Sequence, residues 1–77
     1  MTLNIKYFGL LAEITNCDNE TIEFRNATVL ELLNLLFKKY PLLKNKDFQV
    51  AQNQEIISKE SLVLEGEIVL LPPFSGG

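Results

Sequence analysis

Between Thr28 and Tyr40 runs the one long stretch of this 77-residue chain whose apolar residues recur with a helical period. Stepping about 100° per residue from Val29, the residues Leu30, Leu32, Leu33, Leu36, Phe37 and Tyr40 fall within one arc. Glu31, Asn34 and Lys38 face the other way, and Leu35 sits near that polar side. Thr28 followed by Glu31 reads as a capping box, so Thr28 is expected to cap the helix. Lys38 and Lys39 suit the negative end of the helix dipole, and Pro41 stops the helix at Tyr40. One helix with one apolar face can cover one layer, and the remaining residues must supply it.

They do so with a different period. Leu3, Ile5 and Tyr7 alternate with Thr2, Asn4 and Lys6, the mark of a half-buried strand that Gly9 ends. Leu10 to Ile14 has room for a short helical turn, and the NCDN run from Asn16 to Asn19 is turn material. A second strand runs from Glu20 to Arg25 with Ile22 and Phe24 on one face. After a loop from Leu42 to Asp47 come a strand from Phe48 to Gln52, a turn at Asn53-Gln54, and a strand from Glu55 to Ser58. Ser58 to Glu65 is irregular, and Gly66 marks the turn into a last strand from Glu67 to Leu71. The order β-β-α-β-β-β predicts an α+β, β-grasp (ubiquitin-like) fold. Its mixed five-stranded sheet packs on the long helix, with the first and last strands as central, parallel neighbours. Residues 1–71 are expected to form the domain and 72–77 a flexible tail. The last strand, Ile68-Val69-Leu70-Leu71, is apolar on both faces, and Phe8 points opposite Tyr7. Either loops cover these side chains or a partner protein does.

Charge and composition exclude several functions. The formal net charge is −3, and nucleic acids and anionic membrane surfaces both call for a basic footprint. No apolar run approaches the roughly 20 residues that span a bilayer, and MTLNIKYF does not read as a signal peptide. Cys17 is the single cysteine, so no internal disulfide forms and a cytoplasmic setting is expected. Without histidine the chain lacks the commonest general acid–base. Cys17 has neither a second cysteine nor a histidine to activate it. Glu55, Glu60, Glu65 and Glu67 scatter around turns and read as solvated surface, so no metal site is expected.

What remains is PPFSGG, residues 72–77. The proline pair stiffens the exit from the last strand, and six extended residues reach roughly 20 Å. Gly76 and Gly77 carry no Cβ, so they can enter a narrow channel and leave the final carbonyl unhindered. A carboxylate there is a poor electrophile until another enzyme activates it. The physical reading is an acyl carrier that presents Gly77 to catalysts located on its partners. The bland reading is a frayed end on a β-grasp interaction module.

IKYFGLLAE, FQVAQNQEI and above all EGEIVLLPPFSGG resemble the small, sulfur-carrying subunits of molybdopterin synthase over essentially the whole chain. The resemblance implies that an adenylyltransferase of the ubiquitin-activating type uses ATP and Mg²⁺ to adenylate Gly77. A sulfur donor enzyme then leaves a thiocarboxylate there. The tail enters the large synthase subunit, where the sulfur attacks cyclic pyranopterin monophosphate in molybdenum cofactor biosynthesis. No permanently bound cofactor is implied, and the complex would be a heterotetramer. The resemblance makes Gly77 and Gly76 the reactive end, with Phe8, Leu71, Pro72, Pro73, Phe74 and Ser75 as partner-binding residues. Phe74 departs from the smaller aliphatic residue frequent at its position. A carrier for thiamine synthesis, tRNA thiolation or tungsten-cofactor assembly is the alternative of the same type. Under either carrier reading Cys17→Ser is expected to leave sulfur transfer intact in a reconstituted assay, and a large loss would place the reactive atom at Cys17.

Overall fold

The computed structural model describes residues 1–25 and 27–73. The elements are β1 (Thr2–Tyr7), α1 (Leu10–Thr15), β2 (Asn19–Glu23), α2 (Val29–Lys39), a 3₁₀ helix (Pro41–Asn45), β3 (Gln49–Gln52), β4 (Glu55–Ile57) and β5 (Gly66–Leu71). The strands form one sheet in the order β2-β1-β5-β3-β4. β1 and β5 are parallel central neighbours, and the other pairs are antiparallel. This is the β-grasp architecture that the strand and helix patterns imply.

Alternation along the strands sorts side chains between two faces. Leu3, Ile5 and Tyr7 of β1 and Ile68 and Leu70 of β5 are buried against the Val29, Leu32, Leu33 and Leu36 stripe of α2. Fully burying each such side chain contributes about 1.5–3 kcal/mol before the entropy of ordering it is subtracted. Leu35 is exposed, as the helical arc requires, but Leu30 is also 46% exposed although it falls within that arc. Leu30 lies in the first turn, at the margin of the stripe.

The start of α2 is tied down from outside the helix. The Glu31 amide donates to Thr28 Oγ1 at 3.4 Å, so Thr28 caps as its spacing implies. The Glu31 carboxylate turns instead to Arg25, 2.9 Å away. The segment between β4 and β5, irregular by sequence, supplies acceptors for amides that a helix cannot satisfy internally. Val29 N–H donates to the Ser61 carbonyl at 2.9 Å and Leu30 N–H to the Lys59 carbonyl at 3.0 Å.

At the other end Pro41 does stop α2, with Lys39 its last residue and Tyr40 its cap. The loop expected after it is in part a 3₁₀ helix, because Pro41 suits the first helical position and Leu43 is fully buried. Beneath this end lies a polar knot. The hydroxyls of Tyr7 and Tyr40 donate to Glu20 Oε2 at 2.6 and 2.7 Å, and Lys39 Nζ donates to Oε1. Tyr7 and Tyr40 also meet edge to face, with ring centroids 6.1 Å apart. One carboxylate thus joins β1, β2 and the end of α2.

Burial would raise the pKa of Glu20, but the bonds from Lys39, Tyr7 and Tyr40 outweigh it and hold the carboxyl below its usual range. Burial, then the bond to Glu20, pushes both tyrosine hydroxyls well above theirs. A depressed carboxyl contributes stability above its unfolded value of about 4.3, and a raised phenol contributes below about 10. The urea midpoint is therefore expected to plateau between those limits. It should fall as pH drops through the folded value of Glu20, and fall again above about pH 10 as the unfolded tyrosines ionise. Glu20→Gln should flatten the acid limb in the same titration.

Candidate functional site

The parallel register pairs Tyr7 with Leu70, and Phe8 N–H donates to the Leu70 carbonyl at 3.3 Å. One step further along each strand places Phe8 beside Leu71. By alternation both side chains fall on the face of the sheet opposite α2. Phe8 is 48% exposed and Leu71 half-buried. Val69 shares this face, and Ala51 of β3 stands opposite it in register.

This outer face divides along β5. Near the start of the strand, Glu67 pairs with Lys6 at 2.9 Å. Near its end, the half-buried Val69 and Leu71 make it apolar together with the exposed Phe8, and Ala51 beside Val69 is buried among its neighbours. The doubly apolar last strand therefore has two destinations. Ile68 and Leu70 enter the core, and Val69 and Leu71 lie half-buried on the opposite face.

Pro72 and Pro73 follow Leu71 and are exposed. The exit is set by a residue that the sequence reading treated only as a strand end. Gly9 has φ +59° and ψ −136°, a conformation that residues with a Cβ rarely adopt. A Cβ on Gly9 would lie 3.1 Å from Cγ of Pro72. The glycine thus relieves backbone strain and seats the proline ring at once. A glycine directly after the alternating Leu3–Phe8 run was the available signal, but its contact with Pro72 depends on the parallel pairing. Of the sequence-derived site residues, the fold brings together Phe8, Leu71 and Pro72, with Pro73 next along the chain. Phe74, Ser75, Gly76 and Gly77 lie outside the described residues.

Cys17 is half-buried, and its Sγ donates weakly to Thr15 Oγ1 at 3.7 Å. Among the described residues no group of three or more His, Cys, Asp or Glu converges to hold a metal ion. No described helix is long and apolar enough to cross a membrane.

The ThiS family model matches residues 5–77, which includes the diglycine. The chain belongs to the ThiS family. Solved structures agree on its fold. The putative molybdopterin converting factor subunit 1 of Pyrococcus furiosus matches with a TM-score of 0.88 at 22% identity, over 96% of this chain and 99% of that one. SAMP1 of Haloferax volcanii matches with a TM-score of 0.82 at 26% identity, over the full length of both chains. A chain from the complex of subunits 1 and 2 of the molybdopterin-converting factor of Helicobacter pylori matches at 0.66 and 26%, again over both full lengths. The fold is that of the ThiS-type sulfur carriers.

Gly9→Ala is expected to cost about 1–3 kcal/mol in urea unfolding, from the strained φ/ψ, and to shift the amide resonance of Leu71. Unchanged stability and spectra would show that Gly9 does not set the exit.

Proposed function

We propose that this chain is a sulfur carrier of molybdenum cofactor biosynthesis, the small subunit of a molybdopterin synthase. The sulfur-carrier part of this reading rests on a family match that runs through the diglycine to residue 77, and the molybdenum pathway is favoured by likeness to a chain from the molybdopterin-converting factor complex of Helicobacter pylori. The geometry supports it, because β5 delivers Leu71 and Pro72 beside Phe8 on the apolar face opposite α2.

The chemistry follows from what a glycine carboxylate can do. In an activating partner the Gly77 carboxylate attacks the α-phosphate of ATP, pyrophosphate departs, and the carbonyl becomes electrophilic as an acyl-adenylate. Mg²⁺ there offsets the phosphate charge. Sulfide-level sulfur supplied by a donor enzyme displaces AMP and leaves a thiocarboxylate; where the donor is a persulfide, a thiol reduces the acyl disulfide that forms first. The thiocarboxylate is anionic at neutral pH, so its sulfur attacks cyclic pyranopterin monophosphate without a general base on the carrier, and water then cleaves the acyl–sulfur bond, leaving sulfur on the pterin and releasing Gly77 as a carboxylate. Gly76 and Gly77, lacking Cβ atoms, fit both partners' channels.

The large subunit supplies the active site for transfer. The complex of subunits 1 and 2 from Helicobacter pylori, one chain of which matches this one, supports such a partner. In this reading Phe8, Leu71, Pro72 and Pro73 dock on it, and Phe74 and Ser75 carry the docking contact towards the diglycine. The assembly is a cytoplasmic heterotetramer with one carrier at each end of a large-subunit dimer. Likeness to SAMP1 at equal coverage favours a second reading, in which the same charged tail serves a different acceptor.

Deleting Gly77 is expected to leave the amide spectrum and large-subunit binding nearly unchanged while abolishing adenylation and sulfur transfer. Intact-mass analysis of protein from its own cell should show a sulfur-for-oxygen exchange at the terminus. A truncated chain that still supports cofactor synthesis would overturn the carrier reading. A thiocarboxylate that forms but does not react with the pterin precursor and large subunit would select the second reading.

A further inference from the structure

A second surface lies on the α2 side of the sheet. Between α2 and the β3–β4 hairpin runs a groove of about 590 Å³, in the size range of occupied ligand clefts. Leu33, Phe37, Phe48 and Val50 line its apolar part, and the rings of Phe37 and Phe48 meet edge to face at 6.2 Å. Lys44, Lys46 and Lys59 stand at its rim, all exposed, with Asp47 as the single lining carboxylate.

The charge placement is not what the whole chain would give. Of seven cationic side chains in a chain of net charge −3, three line this one groove. Lys6, Arg25 and Lys39 have carboxylate partners elsewhere, whereas among the described residues Lys44, Lys46 and Lys59 form no ion pair, as is also true of Lys38 outside the groove.

The groove is bounded by an open strand edge. Among the described residues β4 pairs with β3 alone. Asn53 and Gln54, both at positive φ, make the two-residue turn that closes the hairpin on the Gln52–Glu55 pair. Antiparallel pairs alternate between bonded and non-bonded, so the Ala51–Ile56 pair is non-bonded. The N–H and C=O of Ile56 therefore point away from β3. No backbone hydrogen bond among the described residues reaches them.

We propose that this groove receives an extended acidic–apolar segment of a partner protein, added as a strand along the β4 edge. Backbone bonds at Ile56 set the register, apolar side chains of the segment enter beside Phe37 and Phe48, and its carboxylates meet the three lysines. Lysines on an edge strand commonly serve to repel other strands. Lys44 and Lys46, however, come from the 3₁₀ helix and the residue that follows it, not from the edge. They line the groove from its other wall, where they attract an acidic segment. Gln49 also lines the groove and pairs with Leu71, so the groove opens at the end of the sheet where β5 stops. The proposal does not depend on sulfur transfer.

The test is an amide-resolved titration of the full chain with an acetylated peptide of three aspartates followed by Val-Ile-Val-Ile. Shifts are expected at residues 44–50 and 55–59 and along α2. Affinity should fall at least about tenfold in the K44E/K46E/K59E variant, and fall with added salt. Of the two alternately N-methylated forms of the peptide, one should also lose at least about tenfold, because only one set of its amides faces the edge. The proposal is overturned if no shifts occur or if they map to Phe8 and Leu71. Equal binding by the charge-reversed variant overturns it, as does sedimentation showing that the groove is filled by a second copy.

Discussion

β1 and β5 lie far apart in sequence, yet a continuous parallel register from Leu3–Gly66 to Tyr7–Leu70 holds them side by side at the centre of the sheet. A hairpin cannot make such a pair, which needs a long crossover. Here the crossover contains α2, and the helix returns across the face that both strands present. Burial of Ile5, Ile68, Leu32 and Leu36 is therefore one event that joins sheet and helix. The outer face is organised by the same pairing. It sets Phe8 beside Leu71 and brings Gly9 under Pro72, so a pairing of distant segments also frames the candidate site.

Glu20 closes the structure at the end of the sheet where β1 stops. A half-buried carboxylate is tolerated because it accepts from Tyr7, Tyr40 and Lys39. The apolar stripe of α2 determines which side of the helix faces the sheet. The Glu20 knot adds where along the sheet the helix ends, which matters because Tyr7 immediately precedes Phe8. The packing of the core and the placement of the outer apolar patch are thus coupled through β1.

Much of this was legible in the residues. Alternation in Leu3–Tyr7, the Thr28 cap and the Pro41 stop located the elements to within about two residues. A single long amphipathic helix left few ways to arrange five short strands. What escaped were features that arise only when distant segments meet. The 3₁₀ helix at Pro41–Asn45 depends on the burial of Leu43. The exposure of Leu30 depends on where the first turn of α2 meets the segment between β4 and β5. Glu20 read as the start of a strand, and nothing local connects it to Tyr40. Gly9 was visible as a breaker, but Pro72 was needed to show it as a seat. At the candidate site the apolar outer face of β5 and its neighbour Phe8 were legible from the doubly apolar last strand. The basic groove was not, because Lys44, Lys46 and Lys59 belong to separate segments.

A strand flanked on both sides has a mechanical consequence. β5 is bonded to β1 along one edge and to β3 along the other. Traction applied through Pro72 loads both ladders at once, in shear, and cannot unzip them one bond at a time. A protein built this way can have its end drawn taut into another molecule while its interior stays intact.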